Sequence, residues 1–119
     1  MMILRYTFLL FFISCANNFK LNAQTQAKMN QTAITSYKKA DTELNKVYQK
    51  VLKILSESEK TLFIKAQKDW LKFRDSHCNF EIEQYKGGSI QPLIFYNCLE
   101  EKTRQRINDL NSILKEESR

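Results

Sequence analysis

From Ile34 onward the apolar positions recur every three or four residues: 34, 37, 40, 44, 47/48, 51 and 54/55. Because 3.6 residues complete a helical turn, that spacing lines one face of a helix. It predicts a long first helix from Gln24 to about Leu55. The segment SESE, 56–59, interrupts the pattern. Ser56 or Ser58 can accept from the free N–H groups of a new helix, and Glu57 and Glu59 suit the positive end of its dipole. A second helix follows to about Tyr85, with an expected inner stripe of Leu62, Phe63, Ala66, Trp70, Phe73, His77 and Phe80, and Arg74 on its flank. Trp70, Phe73 and Phe80 are read as core. Gly87 and Gly88 end it, since glycine takes the left-handed conformation that stops helices. Pro92 then falls in the first turn of a third helix, running to about Lys115 with Leu93, Tyr96, Leu99, Thr103, Ile107, Leu110 and Leu114 inward. Three such helices joined by short loops give an all-α, antiparallel three-helix bundle.

Length and composition narrow this further. The 119 residues suit one core, and two glycines with one proline are too few for the turns of a sheet. Before the helical domain, Arg5 and the apolar run YTFLLFFI, 6–13, read as an export signal too short to span a bilayer. Two processing readings stand side by side. FISC, 12–15, is like a lipobox, which makes 1–14 the signal and Cys15 a lipidated N-terminus. Alternatively LNA, 21–23, precedes cleavage at Gln24, which makes 1–23 the signal and 24–119 the domain. Either way the chain is read as exported, to the periplasm or the outer membrane.

Export alters the charge and the cysteine arithmetic. The formal net charge is +6; losing Arg5 and Lys20 leaves +4, and losing Arg5 alone leaves +5. Spread over helix surfaces, such an excess reads as solvated. Outside the cytoplasm it argues against nucleic acid and leaves anionic lipid or cell-wall polymer open. With Cys15 assigned to signal or lipid, Cys78 and Cys98 are an expected disulfide in an oxidising compartment. In an antiparallel hairpin they come level, about two turns either side of the turn, as a short Cα separation requires.

Catalytic chemistry has little to stand on. The single histidine, His77, adjoins an oxidised cysteine, so no thiolate is available to activate. One histidine and a bonded cysteine pair do not make a four-ligand zinc shell. Asp41, Asp69 and Asp75 offer carboxylates, but their spacing does not select a glycosidase pair. No enzyme, metal or cofactor is expected. The polar residues read better as structure: Asp41, Asn45, Gln67, Arg74, Thr103 and Arg106 can form an inter-helix network, for example Arg74 with Asp41, that fixes helix register.

Four segments, ADTELNKVY (40–48), KAQKDWLKFRDSHC (65–78), GGSI (87–90) and NCLEEKTRQRINDL (97–110), resemble in order the LprI-like domain. The chain departs from that family in lacking two further cysteines, with Thr32 where the second falls, and in carrying His77. The resemblance implies an exported helical domain that inhibits lysozyme by binding it. On that reading the loop Lys86, Gly87, Gly88, Ser89 and Ile90, preorganised by the nearby bridge, is the candidate contact with the acidic cleft. Glu57, Glu59, Glu81 and Glu83 are candidates for steering a basic partner. The alternative is an envelope interaction or structural module with another partner.

Overall fold

The computed structural model describes the backbone of residues 2–116 and the side chains of residues 20–116. Helix α1 covers Met2–Ile54, α2 covers Glu57–Glu81 and α3 covers Gln91–Glu116, with one 3-10 turn, Glu83–Tyr85, after α2. The expected start of α1 at Gln24 is therefore too late. No glycine or proline lies anywhere before Ile54, so nothing in the local sequence stops the helix near Gln24. The side chain of Cys15 lies outside the described residues. Among the described residues, no helix is long and apolar enough to cross a membrane.

Ser56 is the N-cap of α2. Its hydroxyl accepts from the Glu59 backbone N–H at 3.4 Å, and its own N–H donates to Glu59 Oε2 at 2.8 Å, a reciprocal capping box. The Ser56 hydroxyl also donates to Glu59 Oε2, and chiefly that bond, with the Ser56 N–H second, holds the Glu59 carboxyl below its ordinary pKa. At the other end the α-helix stops at Glu81, short of the expected Tyr85, because the chain tightens into the 3-10 turn. Gly87, at φ 78°, supplies the left-handed residue of the connection.

The helices run up, down and up. α3 packs against both neighbours, and contacts such as Tyr37 with Tyr96 and Asn30 with Ser89 set α1 and α3 parallel with a constant offset of 59 residues. Arg74 with Asp41 and Tyr48 with Phe63 set α2 antiparallel to α1. The core has two parts. Leu44, Val47 and Val51 meet Ile107 and Leu110 in the larger, while Cys78, Cys98 and Leu99 form the smaller with Tyr37, Phe95 and Tyr96 around them. Cys78 and Cys98 are bonded, 5.7 Å apart at Cα.

α2 departs from the expected stripe. Leu62 is 71% exposed, Phe73 57% and Phe80 78%, and Ala66 is exposed as well. The helix is turned by roughly a quarter turn from the apolar reading. Its inner face holds Gln67, Arg74 and Cys78, with Phe63 and Trp70 partly buried beside them. Burying Arg74 rather than Phe73 means that satisfied polar contacts, not hydropathy, decide which side of α2 faces inward.

Candidate functional site

Arg74 is the centre of the polar network. Only 5% exposed, it lies with its guanidinium carbon 5.5 Å from the ring centre of Tyr37 and 5.3 Å from that of Trp70. Its Nη1 donates to Asp41 Oδ1 on α1 and Thr103 Oγ1 on α3, each at 3.3 Å, and its Nε donates to Asp75 Oδ1 at 2.9 Å. One side chain thus ties all three helices. The other face of the network repeats the theme: Arg106 Nε donates to Gln67 Oε1 at 2.9 Å, and its guanidinium lies 5.7 Å from Trp70. Trp70 is a shelf shared by two cations, which its π-face attracts. Burial lowers the pKa of Arg106, with Asp109 opposing. Among the described residues every buried side-chain nitrogen and oxygen has a hydrogen-bond partner.

The structure thus brings together Asp41, Gln67, Arg74, Thr103 and Arg106. Asn45 does not join them. It is exposed, has no side-chain hydrogen bond among the described residues, and lines an open groove with Lys46, Lys50 and Lys53. Sequence reasoning missed Tyr37 and Asp75 as members of the network. Tyr37 carried a usable signal, one turn before Asp41 on the same face; Asp75, adjacent to Arg74, had none from periodicity.

Tyr37 gives a direct probe of this site. Burial raises its pKa above the ordinary 10.0, while the Arg74 charge opposes. The folded state therefore keeps the phenol proton to higher pH than the unfolded chain does. That contribution to stability is intact below the unfolded value and is lost as pH rises through the folded one. In a phenolate absorbance titration, Tyr37→Phe is expected to remove a late-ionising step; an unchanged curve would contradict the burial of this ring.

The three aspartates singled out as carboxylate candidates are each engaged by a basic side chain. Asp41 and Asp75 both accept from Arg74, and Lys65 holds Asp69 below the usual carboxylate range through a 2.5 Å hydrogen bond. His77 Nε2 pairs with Glu81 at 2.9 Å, and these two donors lie within 4.8 Å of Cys98 Sγ. That sulfur is bonded to Cys78. An imidazole and one carboxylate remain, short of the four ligands a zinc site closes on.

The loop Lys86–Ile90 is wholly exposed. Gly88 N–H donates to Tyr85 O at 3.0 Å, Gln91 N–H to Gly88 O at 3.2 Å, and Asn30 Nδ2 of α1 to Ser89 O at 3.0 Å. A Cβ at Gly88 would sit 3.2 Å from Tyr85 O, so the turn is tight there. Lys86 reaches Glu83 at 3.3 Å, an exposed pair that contributes little. Between this loop and α1 runs an open groove of roughly 750 Å³, bordered by Asn22, Gln26, Asn30, Gly88, Ser89 and Gln91.

A family model described as lysozyme inhibitor LprI matches residues 15–110, which include the whole network, the bridged pair Cys78 and Cys98, and the loop. The chain belongs to the lysozyme inhibitor LprI family. An uncharacterized protein of Rhizobium meliloti (strain 1021) is 31% identical, over 77% of this chain and 76% of its own. No solved structure matches the chain. This LprI-family domain thus offers a buried polar frame and an exposed loop braced at both ends. Gln67, Arg74 and Thr103 are the buried members of the frame, while Asp41 and Asp75 stand at its partly exposed rim.

Proposed function

We propose that this protein is an exported envelope inhibitor of lysozyme that acts by protein–protein binding, with the loop Lys86–Ile90 as its contact. The family match over residues 15–110 carries the reading. A disulfide in the core fits an oxidising compartment outside the cytoplasm. The loop fits the contact role because it is exposed, fastened to α1 through Asn30, and eight residues along from Cys78. A preordered loop loses less entropy on entering a cleft. Lys86 would face the carboxylates of that cleft, and Ile90, 39% exposed, would add apolar contact.

The test is muramidase clearing of bacterial cells with the purified exported form. Dose-dependent inhibition is expected, with Lys86→Ala plus Ser89→Ala raising the half-inhibitory concentration about tenfold. Unchanged inhibition in that variant would remove the loop from the mechanism. Failure to inhibit lysozymes from several sources would remove the inhibitor reading itself. A second reading, an envelope interaction module, is favoured by the outward Phe73 and Phe80 of α2, since large exposed aromatics mark contact surfaces.

A further inference from the structure

The excess positive charge of this protein sits on one helix. Residues 20–54 carry seven lysines against Asp41 and Glu43, a net of +5. Residues 55–116 hold ten basic and ten acidic side chains and are neutral. Of the two α1 carboxylates, Asp41 is turned to the bundle and accepts from Arg74 at 3.3 Å, while Glu43, exposed at the edge of the lysine face, lies 3.9 Å from Arg104.

The lysines are also aligned. At 100° per residue, Lys28, Lys39, Lys46, Lys50 and Lys53 fall within a sector of roughly 60° and span about 38 Å of helix. All five are exposed. Among the described residues none of the five forms an ion pair, whereas on the hairpin Lys60, Lys65 and Lys86 each meet a carboxylate one turn away and Lys68, Lys72 and Lys102 do not. Between and beside them stand Thr32, Thr35 and Thr42, whose hydroxyls donate to carbonyls four residues back. The face thus presents ammonium groups separated by groups that are already satisfied.

We propose that this face of α1 is a docking surface for an anionic phospholipid membrane. The groove beside Lys46, Lys50 and Lys53 is open rather than enclosing, and lysine lacks the fork that fixes a single phosphate. A flat array of headgroups that can move sideways meets all five charges at once, and the long flexible stems let each ammonium reach its own phosphate. Charge is felt over only ~8 Å at physiological salt, so the lysines act together only if α1 lies along the surface rather than standing on it. Lys28 stands about 20 Å along the helix from Cys15, the candidate lipid-bearing residue. With α1 flat on lipid, the neutral α2–α3 hairpin and its loop are free to meet another partner. This docking is independent of lysozyme inhibition.

The experiment uses the full chain carrying Cys15→Ser, so that no acyl chain contributes. It is co-sedimented with vesicles of phosphatidylcholine alone and with about 30% phosphatidylglycerol, at low and at physiological salt. Neutral vesicles report whatever the apolar run binds. The expected result is partitioning at least about tenfold stronger onto anionic vesicles, weakening with salt. Replacing Lys28, Lys39, Lys46, Lys50 and Lys53 by Gln should bring that preference to within about twofold of none. Replacing Lys60, Lys65, Lys68 and Lys72 by Gln, which takes a similar charge from α2, should leave it in place; helicity by circular dichroism checks both variants. Equal binding to both vesicles, an equal loss in the α2 variant, or binding of soluble polyphosphate without vesicle binding would overturn the proposal.

Discussion

Replacing Arg74 by alanine is expected to destabilise the domain by about 3–5 kcal/mol, the range seen when a large buried, partnered side chain is removed. Three losses combine. The stem and guanidinium vacate the space between Tyr37 and Trp70, their cation–π contacts disappear, and Thr103, fully buried, loses the donor to its hydroxyl. Urea denaturation would measure the sum. The acids behave differently, because Asp41 and Asp75 are 39% and 55% exposed at the side chain and water can replace their partner. Asp41→Asn or Asp75→Asn alone should cost below about 1 kcal/mol. The double change should cost more than their sum, since it strands a buried cation. Arg74→Met, which keeps the stem, divides packing from charge. An Arg74→Ala variant no less stable than Asp41→Asn would show that the guanidinium is not what joins the helices.

Removing the bridge by Cys78→Ala with Cys98→Ala should cost about 3 kcal/mol, from the freedom an unfolded chain regains when a loop of some 20 residues is opened. For a domain of this size that corresponds to a fall in Tm of roughly 10–20 °C. The effect should concentrate at the end of the bundle that carries the loop, because Cys78, Cys98 and Leu99 form the smaller core there. Hydrogen exchange read segment by segment would show earlier opening in residues 82–98 than around Leu44 and Leu110. A uniform loss of protection would argue instead that the two core regions unfold as one.

Much of the frame is legible in the residues themselves. The three-and-four spacing of Leu44, Val47 and Val51 on α1, and of Leu99, Thr103, Ile107 and Leu110 on α3, marks the faces that are buried. The bridge follows from counting and from the level positions of two cysteines in a hairpin, given the expectation of an oxidising compartment. α2 resists the same reading because its apolar residues and its inner face do not coincide. A hydropathy pattern counts Arg74 as surface and Phe73 as core, and only the partners on the other two helices reverse that. Asn45 illustrates the opposite error: one turn from Asp41 in sequence, it is carried round to solvent by the helical twist. The loop's position was readable from Gly87 and Gly88, whereas its fastening to α1 through Asn30 depends on a contact 59 residues away.

The parallel pairing of α1 and α3 has a consequence for assembly of the fold. Contacts between α1 and α2 close chain segments of 15 and 33 residues, those between α2 and α3 close 20 to 39, and Asn30 with Ser89 closes 59. Closure entropy grows with the logarithm of that length, so by connectivity alone either hairpin around α2 is easier to form than the α1–α3 pairing, which closes last. Until it does, Leu44, Val47 and Val51 lack Ile107 and Leu110, and Arg74 has a partner on one neighbouring helix but not on both. The side chain that joins all three helices is therefore completed only when the longest closure is made.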